Sequence, residues 1–291
     1  MHRLLPWLLL FVATVPLVGA DLTIVGSDLL GDNFPVGLKA YAARQAVTVK
    51  LNLAGSRAGR DELVAGRADL ALLVFSAGET PPAAPFVARP VAYFTAMVVV
   101  PASLPLEQVS YNQLRDLYAD SEGASLYVRW SDFGIKDPRW SAAKIFLGMS
   151  GPGGGLSYDI FRYTVLPGPG LRPGIKVDLD GPAALKRIDV AEGGLTIVPA
   201  LPAAMTSLRV VPVSRGIHDV GFLPTPENVH TGDYPIRLPL YVVFRADATK
   251  KVLPLLRYLY DDEALPSWRG AQLVPLPTQA REVQMQDFAA P

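Results

Sequence analysis

The sequence contains no cysteine and only three histidines in 291 residues. A chain without cysteine forms no disulfide, has no thiol nucleophile and builds no cysteine metal site. Two of the histidines, His218 and His230, lie beyond the first twenty residues, and neither has a carboxylate at ligand spacing. We therefore expect the protein to hold no metal ion and no other cofactor.

The sequence also lacks an excess of charge of either sign. Lysine and arginine together number 27, and so do aspartate and glutamate, which gives a net charge of zero. Without a basic surface the protein is not expected to bind nucleic acid. Hydrophobic residues make up 50% of the chain and charged residues 19%, as in a folded globular protein. The length suits a molecule of two lobes.

Motifs of catalysis are missing too. The sequence has no phosphate loop of the type found in ATPases. Residues 148–152 (GMSGP) carry a proline where the nucleophile elbow of a serine hydrolase needs its last glycine. We predict no catalytic residue and expect a binding protein rather than an enzyme.

The first twenty residues have the composition of an export signal. His2 and Arg3 give a short positive region, residues 4–18 are apolar, and residues 18–20 (VGA) fit the small-residue cleavage rule. The mature chain is then expected to start near Asp21, in the periplasm. The apolar run is short for a membrane span, although an uncleaved anchor is the alternative.

Two segments with the order strand, glycine turn, helix lie about a hundred residues apart. The first has a strand at 48–53, a turn at 54–59 (AGSRAG), a helix at 60–66 and a second strand at 69–74. The later segment has a strand at 144–148, a turn at 150–157 (SGPGGGLS) and a helix at 158–166. Helix N-termini of this kind hold anions through free N–H groups and the helix dipole. Two of them, one in each lobe, could close on one small anion.

The rest of the mature chain alternates between strand and helix patterns. Strands are predicted at 22–25 and 91–100, and helices at 33–44 and 110–118, the last with Ser110 as its N-cap. Such alternation is typical of parallel α/β layers.

Six pieces of the sequence, in order, resemble the phosphate-binding proteins of ABC uptake systems, a PstS-like family with the type II periplasmic binding fold. The resemblance covers nearly the whole mature chain. The pieces are 26–28 (GSD), 54–59 (AGSRAG) with 66–71 (GRADLA), 110–118 (SYNQLRDLY) with 130–134 (WSDFG), 193–199 (GGLTIVP), 224–228 (PTPEN) with 232–241 (GDYPIRLPLY), and 274–276 (VPL).

This resemblance implies a two-lobed α/β fold in which each lobe is a mostly parallel sheet flanked by helices. After the signal at 1–20, the first lobe is expected to combine residues 21–90 and 200–291, and the second to comprise 91–199. The function implied is capture of phosphate or a related small oxyanion between the lobes, by a monomer that delivers it to an ABC permease in the inner membrane.

Six residues are predicted to contact the ligand: Ser27, Ser56, Arg57, Gly154, Gly155 and Ser157. Ser56 matches the family's phosphate-binding serine at a helix start, and the last three fall in its second glycine-serine loop. Arg57, or else Arg60, would supply a cation. Each also has a purely structural interpretation: a helix cap for Ser56, turn chemistry for Ser27, positive φ for the glycines, and solvation for Arg57.

Three positions depart from the family's ligand set. Leu30, Val74 and Gly151 stand where the family has a threonine, an aspartate and an arginine. Hydrogen bonds to a charged group contribute roughly 1.5–3 kcal/mol each, so these losses weaken phosphate specificity. The alternative is therefore a diverged envelope protein with a signalling or structural partner and no anion capture. A cleft filled by Leu30 and Val74 would favour that alternative.

Overall fold

The computed structural model of the chain describes residues 21–75, 78–120, 125–166, 168, 170–190 and 193–289. The predicted export signal at 1–20 lies outside the described residues. Within the described ranges, no helix is both long enough and apolar enough to cross a membrane.

The described part of the chain alternates between strands and helices as predicted. The strands are β1 (Asp21–Gly26), β2 (Thr48–Asn52), β3 (Leu70–Val74), β4 (Phe86–Thr95), β5 (Met97–Pro101), β6 (Val109–Ser110), β7 (Phe146–Ser150), β8 (Lys176–Asp178), β9 (Gly194–Val198), β10 (Leu208–Val210), β11 (Val213–Ser214), β12 (Arg237–Arg245) and β13 (Val274–Pro275). The helices are α1 (Asn33–Arg44), α2 (Ser56–Val64), α3 (Tyr111–Tyr118), α4 (Ser157–Val165), α5 (Gly181–Val190), α6 (Pro226–Thr231), α7 (Thr249–Tyr260), α8 (Leu265–Gly270) and α9 (Thr278–Ala289).

The strands form two main sheets. The first has the order β13-β4-β12-β3-β1-β2, with β1 parallel to β2 and β3, and with β12 antiparallel to both β3 and β4. The second has the order β10-β5-β9-β7-β8, with β7 parallel to β8 and β9. A small third sheet pairs β6 with β11. The predicted α/β architecture of two sheet-centred lobes is confirmed.

The chain passes from one sheet to the other at two places that touch each other. The first is Ala96, between β4 and β5, and the second is the stretch from β10 to β12, which includes β11 of the small third sheet. The N–H of Ala96 donates to the Ile236 carbonyl at 3.3 Å, and the Tyr234 hydroxyl donates to the Ala96 carbonyl at 2.6 Å. The lobe boundaries at 90 and 199 stay a prediction; the changes of sheet lie at Ala96 and between β10 and β12.

Most predicted elements lie within a few residues of the observed ones, with two exceptions. The strand predicted at 91–100 is wrong as a single element, because it is divided at Ala96 between β4 and β5 of different sheets. The helix predicted from residue 60 begins earlier, at Ser56. The Ser110 cap is confirmed: its hydroxyl accepts the Gln113 N–H, and the Gln113 side chain accepts the Ser110 N–H.

Candidate ligand-binding cleft

A cleft of about 940 Å³ lies between residues of the first lobe and one helix of the second lobe, α4. This volume is within the usual range for ligand sites, roughly 300–1,000 Å³. The first side is formed by Ser27, Asp28, Leu29, Ser56, Val74, Phe75, Arg237 and Leu238. The facing side is formed by α4 and the residue before it: Leu156, Asp159, Ile160, Tyr163 and Thr164.

Helix α2 brings its first turn to this cleft because it packs closely on β1. A Cβ atom on Gly59 would lie only 2.8 Å from the Gly26 Cα atom, so the two glycines allow helix and strand to touch. Gly55, the N-cap, has φ 114° and donates its N–H to the Gly26 carbonyl at 2.9 Å. The first N–H groups of α2 have no partner within the helix, and they carry its positive dipole end.

The hydroxyls of two predicted ligand residues line the cleft and already accept hydrogen bonds. Ser56 Oγ accepts the Val74 N–H at 2.9 Å, and Ser27 Oγ accepts the Leu29 N–H at 3.3 Å. Ser27 is fully buried. Each hydroxyl proton can still be donated. Since Ser56 is the first residue of α2, its hydroxyl and the free N–H groups can be offered to the same anion.

Arg57 lines a neighbouring cavity of about 260 Å³ rather than the main cleft. This second cavity shares Ser56, Val74 and Phe75 with the main cleft, and Arg60 lines it as well. The Arg57 side chain is exposed. The structure therefore places both predicted cations on this neighbouring cavity and not on the lining of the main cleft.

Gly155 and Ser157 lie in a third cavity, of only about 40 Å³. Leu29 and Leu156 line both this cavity and the main cleft. Ser157 is 1% exposed, and its hydroxyl has no hydrogen-bond partner among the described residues. Gly154 ends the 3-10 turn Pro152–Gly154 that precedes α4.

The cation of the main cleft is Arg237, the first residue of β12. Its Nη1 donates to the His230 carbonyl at 2.7 Å and also to the Val229 carbonyl, near the end of α6. Its Cζ lies 5.1 Å from the centre of the Tyr93 ring. These contacts fix the guanidinium on the cleft lining, and those to the two carbonyls use two of its five N–H donors.

The groups around Arg237 are held uncharged. Burial, helped by the positive charge of Arg237, lowers the pKa of His230 below its ordinary value. Burial raises the pKa of Tyr93, whose hydroxyl lies 3.0 Å from His230 Nδ1. His230 is therefore neutral near pH 7, and the charges on the cleft lining are those of Arg237 and the carboxylates of Asp28 and Asp159.

No protein-family model matches this sequence, and no curated protein matches it. Solved structures do match. PstS from Borrelia burgdorferi has TM-score 0.68 at 14% identity, over 89% of this chain and 100% of that one. A possible phosphate binding protein from Planctomyces limnophilus has TM-score 0.66 at 17% identity, over 94% and 98%. An ABC-type phosphate transport receptor from Vibrio cholerae has TM-score 0.61 at 17% identity, over 88% and 100%.

The chain has the periplasmic binding protein fold. At these identities the likeness shows the fold alone, so the ligand must be inferred from the residues of the cleft.

Within this binding-protein fold, the three departures from the family's ligand set fall in different places. Leu30, at the position of the family's threonine, is 0% exposed in the core, and Leu29 lines the cleft. Val74 does line the cleft. At Gly151 a Cβ atom would lie 2.7 Å from the Asp178 carbonyl oxygen, so β8 leaves no room for a longer side chain.

Two charged residues of the cleft were missed in the sequence. Arg237 lies inside segment 232–241, one of the pieces that resemble the phosphate-binding family. A cation at the start of a strand in that segment was a signal for a ligand contact, and it was not used. Asp159 lies four residues after Gly155, and only the winding of helix α4 shows that it lines the cleft. In the part of the chain that the structure describes, no three histidine, aspartate or glutamate side chains are grouped to hold a metal ion.

Proposed function

We propose that the protein is a periplasmic solute-binding protein that captures phosphate or a related oxyanion in the main cleft and performs no bond chemistry. The supporting observation is that Ser56, at the start of α2, and the guanidinium of Arg237 line one cavity between the two lobes. An oxyanion there would accept hydrogen bonds from a helix N-terminus and pair with a cation.

Capture would be coupled to closure of the lobes. The anion stabilises the closed arrangement only to the extent that it binds this arrangement more tightly than the open one. Each hydrogen bond to the anion contributes roughly 1.5–3 kcal/mol. The paired crossovers at Ala96 and Ile236 are the natural hinge, because they alone carry the chain between the two main sheets within the described ranges.

The setting that we propose is export by the signal at 1–20 and capture as a monomer. An ABC permease in the inner membrane would then recognise the closed form and receive the ligand. This part of the proposal rests on the sequence of the first twenty residues and on the resemblance to phosphate-binding proteins.

Calorimetry on the mature protein tests the proposal directly, with phosphate, sulfate, arsenate and molybdate as ligands after removal of bound solutes. We expect measurable binding of at least one, weakened about 10- to 100-fold by Ser56→Ala, since a charge-assisted hydrogen bond is lost. Ser103→Ala is the control, because Ser103 is exposed and lies outside the cleft lining.

The second candidate is a partner role at the envelope without anion capture. Two observations favour it: Arg57 and Ser157 lie outside the main cleft, and two carboxylates lie within it. Against it, the cleft is open at about 940 Å³ and is not filled by Leu30. If neither the parent protein nor the Ser56→Ala variant binds any of the four oxyanions, the result selects this second candidate.

A further inference from the structure

The two sides of the main cleft differ in what they offer a ligand. The first side presents the N-terminus of α2 with the Ser56 hydroxyl, and beside it Arg237. The facing side presents Leu156 and the flank of α4, while Ser157 and Gly155 line the separate small cavity. An oxyanion at Ser56 therefore has the helix N-terminus and the cation on its own side, and the described residues of the facing side offer it no cation and only the hydroxyls of Tyr163 and Thr164.

The flank of α4 carries one half-buried carboxylate, Asp159. Asp159 makes no hydrogen bond and no ion pair with any other residue that the structure describes. Its place in the first turn of α4 suits the helix dipole, but the dipole does not account for its position on the cleft. A half-buried carboxylate on a cavity wall, with no partner in the described part of the chain, is available to pair with a cationic group of a ligand in that cavity.

The remaining surface of the cleft is largely apolar or aromatic. Phe75 on one side and Tyr163 on the other are accompanied by Val74, Leu238 and Ile160. Tyr163 is 74% exposed although it faces the cleft. A free oxyanion has no apolar part to bury against these side chains, whereas an organic molecule does.

We propose that the ligand is a small organic zwitterion: an oxyanion group joined by a short chain to a protonated amine. The oxyanion lies at the first turn of α2 and Arg237, the chain lies against Phe75 and Tyr163, and the amine pairs with Asp159. This inference rests on the proposed function, because it keeps the same anion site and adds the rest of the molecule.

Three phosphoryl ligands that differ by one group each provide the test: inorganic phosphate, ethyl phosphate and phosphoethanolamine. We expect calorimetry to show phosphoethanolamine binding at least tenfold more tightly than ethyl phosphate. In Asp159→Asn the preference should fall below twofold, while the affinity for ethyl phosphate stays the same or rises. Asp287→Asn, a change at an exposed carboxylate on α9, is the control and should keep the preference.

The outcomes separate this inference from the proposed function. If phosphate binds as tightly as phosphoethanolamine, the inference is wrong and oxyanion capture stands. A preference for the amine that survives in Asp159→Asn, with thermal unfolding unchanged, overturns the assignment of Asp159. If none of the three ligands binds to the unsubstituted protein, the inference is wrong, and the titration with sulfate, arsenate and molybdate decides whether oxyanion capture fails with it. The ligand series on the unsubstituted chain tests the inference even if the variant does not fold.

Discussion

Arg237 has two tasks at the scale of a single residue. Its Nη1 satisfies the carbonyls of Val229 and His230 at the end of α6, and the guanidinium lies on the lining of the main cleft. A positive charge near the C-terminus of a helix is favourable in itself. The same side chain therefore anchors a helix end and supplies the cleft's cation.

We expect Arg237→Gln to reduce affinity for the tightest-binding phosphoryl ligand by at least about tenfold, because a charge-assisted hydrogen bond is lost. Glutamine can still donate one hydrogen bond to a carbonyl of α6, so the fold should survive. Calorimetry at constant salt gives the affinity.

Arg245→Gln is the matched control, since Arg245 ends the same strand and forms an exposed ion pair with Asp247. Exposed pairs contribute at most about 1 kcal/mol, so this variant should bind as the parent does. Equal affinity in the two variants would show that Arg237 is not the anion's partner.

The sequence predicted single residues well where local chemistry decides their place. Ser56 lies in the cleft because a glycine turn leads into a helix, and that pattern is readable. The sequence did not show which of two leucines reaches the cleft, since a 3-10 turn at Asp28–Leu30 directs Leu29 to the cleft and Leu30 to the core. Arg237 was passed over, because its place beside the cleft depends in part on Tyr93, which lies more than a hundred residues earlier in the chain.

At the scale of elements, the position of α2 depends on a close glycine contact with β1. Alanine favours helix over glycine by roughly 1 kcal/mol, so Gly59→Ala would stabilise α2 in isolation. Here its methyl group would lie 2.8 Å from the Gly26 Cα and N atoms, which belong to backbone and cannot rotate away.

We therefore expect Gly59→Ala to lower the free energy of unfolding by about 1–3 kcal/mol, the usual cost of overpacking. Urea unfolding measures this change, and affinity should fall as well, because the first turn of α2 moves with the helix. Gly170→Ala is the control, since a Cβ atom there meets nothing within 4 Å. A more stable Gly59→Ala protein would mean that the contact is loose.

Periodicity and helix caps predicted the helices and strands, but they did not predict the sheet to which each strand belongs. The apolar pattern at 91–100 is continuous, because β4 and β5 are both buried on either side of Ala96. The change of sheet is fixed by two hydrogen bonds between Ala96 and residues more than a hundred positions away. Ala96 donates its N–H to the Ile236 carbonyl and accepts the Tyr234 hydroxyl. A local pattern carries no sign of such a distant contact.

At the scale of the whole molecule, His230 links stability to pH. Its pKa is lowered in the folded state, so below about pH 6.5 the unfolded chain binds a proton that the folded chain resists. Stability contributed by the neutral imidazole is therefore present above this pH and is lost as pH falls. His230→Gln should reduce the loss of unfolding free energy between pH 7.5 and pH 5.5.

Chemical denaturation at the two pH values measures this difference. His218→Gln is the comparison, since His218 is exposed, and it should leave the pH dependence as in the parent. Carboxylates add their own dependence in all three proteins, which the comparison cancels. An unchanged slope in His230→Gln would assign the loss to other groups.

The position of β12 in the first sheet affects how the molecule is made. β12 lies between β3 and β4, yet it follows them by more than a hundred residues. Until it leaves the ribosome, both strands expose buried apolar faces and unpaired backbone edges, which favour aggregation. The sheet of the first lobe therefore closes only after Arg245 has been made. A chain of this design depends on its first strands being kept apart from other chains until β12 can lie between them.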